Sequence, residues 1–172
     1  MRVLSSDGPS GGWGSKKFAE NSGVHSYNAS EMRAGQKTRS FAGVVFSGYR
    51  YASGNLKGVM HLIEERMGLS GLVDGTLNVR IAEEYIVEAD RVISREEYGL
   101  GEAIKLKRCV IFGQKAIIMR PEKHETIPGF GHGKTCLELM GCVHFRDSLG
   151  LADGSHVTVE LDGDGEWWAA AQ

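Results

Sequence analysis

The chain has 172 residues, a length typical of one domain, so a single hydrophobic core should carry the fold. Its 20 Lys and Arg residues against 22 Asp and Glu residues give a net charge of −2, which argues against a sequence-independent grip on nucleic acid. No apolar run approaches the roughly 20 residues of a membrane-spanning helix, and the amino terminus lacks a secretory pattern, so we expect a cytoplasmic protein without membrane or nucleic-acid partners.

Both ends of the chain lack the periodicity of a folded element. Residues 1–38 are rich in Gly, Ser, Asn and Lys, which predicts a flexible N-terminal arm. A Gly-Asp-Gly break separates residues 163–172 as a C-terminal tail, and its two tryptophans, Trp167 and Trp168, are candidates to cover an apolar patch. The folded domain is therefore predicted over residues 39–162.

Between these ends the sequence predicts short strands and one clear helix. Ser40–Phe46 is rich in strand-forming residues and stops at a Ser-Gly turn. Apolar residues at helical spacing predict a helix from Lys57 to Met67, ended by Gly68. Further strands are predicted at 77–81, 85–93, 104–112, 115–119, 137–139 and 157–161, with a hairpin turn at 112–115 and a short helix at 145–149. This pattern indicates a mostly antiparallel barrel or sandwich.

The cysteines and histidines offer little evidence of a metal site. The three cysteines, Cys109, Cys136 and Cys142, show no C-x-x-C spacing and are interpreted as buried small hydrophobic residues. The nearest approach to a ligand group is His124, His132 and Cys136, but their irregular spacing makes a metal site the less favoured interpretation.

The segment Asp74–Arg80 is the most informative, because a turn residue leads directly into an alternating strand. Leu77 and Val79 are expected to enter the core. Thr76 and Asn78 then project together on the other side, next to a glycine that permits close approach of a ligand. A hydroxyl and an amide oxygen suit Mg²⁺ when substrate phosphates supply the negative charge. From these residues alone, the favoured interpretation is that both side chains only satisfy the hydrogen bonds of a turn.

A second candidate is the Gly/Ser loop between the first strand and the helix. Backbone N–H groups in such a loop can cradle phosphate, an arginine can contact it in bidentate fashion, and a tyrosine can stack on a base. The loop is not a Walker A sequence, and an ordinary connection is an equally good interpretation. Its residues are Gly48, Tyr49, Arg50, Tyr51, Ala52, Ser53 and Gly54.

The third candidate runs from Glu138 to Arg146, where a carboxylate on a strand precedes a chain reversal. Backbone groups in such a reversal can read the edge of a nucleobase. In isolation, Glu138 is better interpreted as a solvated strand residue and Arg146 as a surface helix residue. The reversal itself consists of Gly141, Cys142, Val143 and His144.

In this order, the three segments resemble the CTP-dependent riboflavin kinases, small cradle-loop barrels that phosphorylate riboflavin. The matching segments span essentially the whole predicted domain: Val45 to Gly48, Met67-Gly68, Gly75 to Val79, Met119 to Lys123, Glu138, Phe145-Arg146 and Leu151 to Val159. The resemblance implies a mainly β fold, a small six-stranded cradle-loop barrel with one or two short helices. It also implies riboflavin and a nucleoside triphosphate, CTP, as substrates, with Mg²⁺ as cofactor.

The resemblance also implies roles for individual residues. Thr76 and Asn78 become the Mg²⁺ ligands, and the loop Gly48 to Gly54 and the reversal Gly141 to His144 become the nucleotide site. Glu138 becomes a flavin contact. A second flavin contact, a threonine in the family, falls nearest to His124, with Thr126 two residues on.

Several features depart from the family pattern. Bulky residues replace a glycine in the G-x-G-x-G loop, Gly141-Cys142 replaces Ala-Pro, and Ser155 replaces the last acidic residue of Asp-Gly-Asp. An insertion, Ile127 to Gly133, precedes Glu138, so we expect the lid over the flavin to differ.

The leading hypothesis is a phosphotransferase that converts riboflavin to FMN, with no catalytic base identified. The alternative, favoured by the altered glycine loop, is a non-catalytic flavin- or nucleotide-binding module of the same fold. A third class, a DNA-binding relative of the barrel, needs a basic face that the balanced charge argues against.

Overall fold

The structure, a computed structural model, describes residues 39–48 and 56–161. The predicted N-terminal arm, most of the Gly/Ser loop and the tail with Trp167 and Trp168 lie outside these ranges. Seven strands and four short helices fall within them. The strands are β1 (Ser40–Phe46), β2 (Leu77–Ile81), β3 (Arg91–Ile93), β4 (Ile104–Ile111), β5 (Gln114–Pro121), β6 (Cys136–Gly141) and β7 (His156–Leu161).

Six of the strands close into an antiparallel barrel. Their order is β4-β5-β6-β2-β1-β7, and the pairing of β7 with β4 completes the circle. The short strand β3 pairs with β4 outside the barrel. The mainly β, six-stranded barrel expected from the sequence is therefore confirmed.

The barrel interior is filled by alternate residues of its strands. In β7, Val157, Val159 and Leu161 are buried while the residues between them are exposed. Leu77 and Val79 of β2 are likewise 3% and 0% exposed and belong to the same core, as predicted. Because successive strand residues point to opposite faces, Asn78 is directed to the outside of the barrel.

The helices lie on the outside of the barrel and at its ends. The predicted helix is present as α1 (Met60–Met67) and ends at Gly68, whose φ of 66° is left-handed. Its buried Ile63 and Met67 pack in a second apolar cluster with residues of β4, β5 and β6. The other helices are α2 (Arg95–Tyr98), α3 (Lys123–Thr126) and α4 (Phe145–Leu149), of which only α4 was predicted.

In the described part of the chain, every helix is too short or too polar to span a bilayer.

The predicted strand at 85–93 is wrong for most of its length, because only Arg91–Ile93 pairs as a strand. The preceding segment crosses the end of the barrel and buries Tyr85 and Val87. Its backbone is bonded elsewhere: the Tyr85 N–H donates to the carbonyl of Lys134, and the Val87 N–H donates to the Glu125 carboxylate. The spacing of apolar residues in this segment correctly indicated burial. It did not show that the segment has no neighbouring strand among the described residues to pair with.

The prediction for the cysteines is correct for two of the three. Cys109 and Cys136 are buried, whereas Cys142 is exposed. Cys142 lies in the reversal after β6, where its thiol donates to the carbonyl of Ser70. The apolar neighbours of Cys142 in the sequence belong to a strand end, not to the core.

Candidate functional site

A buried polar pair lies on the outer face of the barrel. Asn78 of β2 and Glu138 of β6 stand directly opposite each other, and Asn78 faces Phe46 of β1 on its other side. Only 7% of Asn78 and 5% of Glu138 is exposed. The Oδ1 and Oε1 atoms accept no hydrogen bond from the described residues. Glu138 is therefore not a solvated strand residue, and since an unpaired buried oxygen costs about 1–3 kcal/mol, the pair suits a bound cation or donor.

Gly48, two residues after β1, approaches Asn78 closely. A Cβ atom at Gly48 would lie 2.2 Å from Nδ2 of Asn78 and 3.0 Å from Nε2 of His132. Only glycine fits at this position without displacing a neighbour. The first residue of the predicted nucleotide loop thus contacts the predicted metal ligand.

Helix α3 brings His124 to Glu138. Nδ1 of His124 lies 3.1 Å from Oε1 of Glu138, close enough for an ion pair when the imidazole is protonated. The two atoms do not form a hydrogen bond with each other. The two predicted flavin contacts, His124 and Glu138, are therefore adjacent and leave hydrogen-bonding capacity for a ligand.

A buried ionic network fixes α3 on the barrel. Arg120 is fully buried, donates to the carbonyls of Tyr85 and Cys136, and lies 3.6 Å from the carboxylate of Glu125. Burial lowers the pKa of Arg120, and the Glu125 charge opposes that shift. Glu125 also accepts from Lys105 and from the backbone of the segment before β3. Glu125 thus anchors the helix turn that carries His124.

The predicted insertion, residues 127–133, folds against the same site. A Cβ atom at Gly131 would lie 2.2 Å from Nε2 of His124, so the backbone of this loop rests directly on the imidazole. The ring centroids of Phe130 and His132 lie 5.8 and 6.3 Å from that of His124. His132 also meets Phe46 edge-on at 5.5 Å. The insertion covers His124 and extends to Gly48.

A cavity of about 180 Å³ lies beside the start of β2. It brings the predicted metal ligand Thr76 together with part of the predicted nucleotide reversal. A backbone hydrogen bond of 3.0 Å from Val73 to Gly141 joins the two segments. The lining residues are Val73, Asp74, Gly75, Thr76, Leu77, Leu139, Gly141, Val143, His144, Phe145, Arg146 and Asp147.

Arg146 is fixed at this cavity by Asp153. The guanidinium donates to Oδ1 of Asp153 at 2.7 Å, and the same oxygen accepts from the Ser47 hydroxyl at 3.1 Å. The hydrogen bond from Arg146 holds the pKa of Asp153 below its usual value, with that from Ser47 contributing. One carboxylate therefore links the cavity to the residue before Gly48, so Arg146 is not merely a surface helix residue.

Not every predicted site residue joins this arrangement. Thr126 is exposed, and its hydroxyl donates to the carbonyl of Glu122 at 3.0 Å within the helix turn. Residues 49–54 of the predicted nucleotide loop lie outside the described residues. Between 39 and 48 and between 56 and 161, no three His, Cys, Asp or Glu side chains are arranged to hold a metal ion.

Sequence reasoning missed the supporting roles of Asp153, Glu125 and Gly131. Asp153 begins the Asp-Gly-Ser turn that stands in place of the family's Asp-Gly-Asp, and Glu125 lies beside the predicted flavin contact without a pattern of its own. The alternation Gly-Phe-Gly-His-Gly at 129–133 was a usable signal, since repeated glycines permit close backbone contact. It indicated an insertion, but not what the insertion would touch.

Comparison with known proteins gives a consistent family match. A family model titled CTP-dep_RFKase, described as a domain of unknown function, DUF120, matches residues 45–161. The chain is similar to a riboflavin kinase of Methanocella arvoryzae, 30% identical over 112 residues, which are 63% of this chain and 49% of that protein. It is also similar to a riboflavin kinase of Pyrobaculum arsenaticum, 30% identical over 116 residues, 62% of this chain and 52% of that protein. The chain thus spans about half the length of these curated relatives.

Proposed function

Because the chain belongs to the CTP-dependent riboflavin kinase family, we propose that it phosphorylates riboflavin to FMN with CTP as donor and Mg²⁺ as cofactor. The observation that carries this proposal is the buried Asn78–Glu138 pair, whose Oδ1 and Oε1 atoms accept no hydrogen bond from the described chain. The Asn78 Oδ1 suits a cation, and the Glu138 Oε1 suits a hydrogen-bond donor on the substrate. The two residues stand opposite each other on neighbouring strands, so a cation and a substrate bound to them would lie side by side.

The metal site of the proposal consists of the Asn78 amide oxygen and the Thr76 hydroxyl. Mg²⁺ favours oxygen ligands, and it commonly combines one or two protein ligands with water and substrate phosphates. The unpaired, buried Oδ1 of Asn78 fits this role, since a bound cation would satisfy it. The ion would neutralise charge on the phosphates during transfer.

The nucleotide site of the proposal is the cavity between Thr76 and the reversal after β6. Gly141, Val143 and His144 line it, and backbone groups in such a reversal can read a base edge. Arg146, held by Asp153, supplies a cation at the same wall. The cavity adjoins Thr76, so phosphates bound there would reach the metal ligand.

The flavin site of the proposal is Glu138 with His124. The terminal ribityl hydroxyl of riboflavin would attack the γ-phosphorus, forming a new P–O bond as the bond to the β,γ-bridging oxygen breaks. The hydroxyl proton leaves to solvent. For such reactions positioning and charge neutralisation supply most of the rate, so no catalytic triad is required.

The direct test is product formation. Purified protein is incubated with riboflavin, Mg²⁺ and each of the four nucleoside triphosphates in turn, and FMN is separated chromatographically. We expect FMN with CTP, and none when the divalent ion is chelated. The proposal fails if no nucleoside triphosphate yields FMN.

The second candidate function is a non-catalytic flavin- or nucleotide-binding module. The sequence Tyr49-Arg50-Tyr51, where the family pattern has a glycine, favours it, because bulky residues hinder close approach of backbone to phosphate. Flavin that co-purifies with the protein but is never phosphorylated would support this alternative.

The thiol of Cys142 provides an independent test of the nucleotide site. Burial raises the pKa of Cys136 to about 12 and also raises that of Cys109, and both thiols are buried, so both should resist thiol reagents in the folded protein. Desolvation raises the pKa of Cys142 as well, but Cys142 is exposed and lies in the proposed nucleotide reversal, so a reagent can reach it. We expect one of the three thiols to react in native protein, and saturating CTP to slow that reaction severalfold. An unchanged rate with CTP present would exclude the reversal from the site.

A further inference from the structure

The inserted loop 127–133 presents exposed apolar side chains, and its Phe130 contacts His124, the neighbour of the buried carboxylate of Glu138. Ile127 is 46% and Phe130 is 42% exposed, and they are two of the six large exposed apolar residues in the described part of the chain. Exposed apolar groups that adjoin a polar pocket are typical of ligand sites. The loop therefore supplies apolar side chains near a hydrogen-bonding carboxylate, that of Glu138.

The loop is held against the barrel by close contacts. Gly129, Gly131 and Gly133 all have left-handed φ angles, of 74°, 58° and 65°. At Gly131 the backbone is so close to the His124 imidazole that a side chain would overlap it. A hydrogen bond of 3.2 Å from Phe130 to the carbonyl of Ile127 closes the turn before it. The backbone therefore fixes the position of Phe130, which contacts the His124 ring next to Glu138.

Four aromatic rings form a continuous row, in which His124 lies 3.1 Å from Glu138 and Phe46 stands opposite Asn78. Phe130 contacts His124, His124 contacts His132, and His132 contacts Phe46, with centroid separations of 5.8, 6.3 and 5.5 Å. Aromatic faces bind planar heteroaromatic rings by stacking or edge contact. A ligand with a wide planar ring and a hydrogen-bond donor would satisfy both the row and the unpaired Oε1 of Glu138.

We propose that Phe130 is a specificity-determining residue that packs against the isoalloxazine ring of riboflavin while Glu138 accepts a hydrogen bond from the same substrate. This inference rests on the proposed function and deepens it, since it assigns recognition of the ring to the inserted loop. The ring is recognised by apolar contact, which depends on its size. A ribityl compound with a smaller ring system therefore binds less well.

The first experiment measures riboflavin binding without nucleotide or metal, by quenching of flavin fluorescence. Phe130→Ala is expected to raise the Kd about tenfold, the usual scale for loss of one stacking contact, and Phe130→Trp to restore affinity. Phe112→Ala is the matched control, because Phe112 is 59% exposed at the hairpin between β4 and β5. We expect its Kd to stay within about twofold of that of the unmodified protein.

A second ligand separates recognition of the ring from recognition of the chain. Dimethyl-ribityllumazine carries the ribityl group and the pyrimidine edge of riboflavin but lacks the benzenoid ring. The unmodified protein should prefer riboflavin by about tenfold, and Phe130→Ala should remove most of that preference. An equal preference in both proteins would assign ring recognition to another part of the site.

A pair of glycine variants tests whether the loop acts through its contact with His124. Gly131→Ala and Gly133→Ala impose similar backbone strain, but only at Gly131 would the new Cβ meet His124, whereas none of the described atoms lies within 4 Å at Gly133. Gly131→Ala should weaken riboflavin binding at least about fivefold more than Gly133→Ala. Thermal melts of both variants show whether each is folded.

The outcomes distinguish this inference from the proposed function. If Phe130→Ala and Phe112→Ala bind riboflavin with the same Kd, or if the unmodified protein binds none, the inference is overturned. FMN formation by the unmodified protein would still support the kinase in the first case. A tenfold loss on Phe130→Ala together with no FMN from any nucleoside triphosphate would support the flavin site and contradict the kinase.

Discussion

Asn78→Ala is expected to lower kcat for FMN formation at least about 100-fold while the protein remains folded. The amide oxygen is the buried ligand of the proposed metal site, and loss of a metal ligand removes several kcal/mol of transition-state stabilisation. Oδ1 accepts no hydrogen bond from the described residues. Its removal therefore leaves none of their hydrogen-bond donors without a partner. The measurements are steady-state kinetics and the Mg²⁺ dependence of nucleotide binding by calorimetry.

The control for Asn78→Ala is Thr158→Ala, which removes an exposed side chain from β7. We expect the control to match the unmodified protein in both kinetics and calorimetry. If Asn78→Ala retains Mg²⁺-dependent turnover, Asn78 is not a metal ligand. A variant that melts well below the control would instead show that Asn78 supports the fold, and the metal assignment would then fail.

Gly48→Ala is expected to lower kcat about 10- to 100-fold, the scale seen when reacting groups are displaced by about 1 Å. The new Cβ would lie 2.2 Å from Nδ2 of Asn78 and 3.0 Å from Nε2 of His132. Asn78 must move to relieve this overlap, and its amide oxygen moves with it. The effect should appear in turnover and in the Mg²⁺ concentration needed for half-maximal activity.

Gly58→Ala is the matched control, because none of the described atoms lies within 4 Å of a Cβ at that position. Gly58 lies in the turn before α1. We expect it to retain activity within about twofold. Equal activity of Gly48→Ala and Gly58→Ala would contradict a functional role for the close approach of Gly48 to Asn78.

Strands β1 and β7 follow from local sequence because each has one buried face. Val157, Val159 and Leu161 alternate with polar residues, so their burial follows from a period of two. The turn between β4 and β5 is also local, since Phe112 and Gly113 have φ angles of 48° and 73° and form a two-residue hairpin. The closure of the barrel could be predicted only from the family resemblance, because strand order depends on long-range pairing.

The burial of the candidate site was not predictable from the same alternation. A period of two places Asn78 and Glu138 on the face opposite the barrel core, which the sequence presents as the solvent side. That face is covered by His124 of α3 and by the inserted loop, both distant along the chain. No local pattern showed that Gly131 would rest on His124. The residue types at the site were identified, but not the side chains that enclose them.

The most direct test of the metal assignment is a crystal structure of the protein with CDP, FMN and Mg²⁺. We predict a cation with the Asn78 Oδ1 and Thr76 hydroxyl oxygens among its ligands, at about 2.0–2.1 Å, and with phosphate oxygens completing the shell. A cation bound elsewhere, with neither side chain as a ligand, would contradict it.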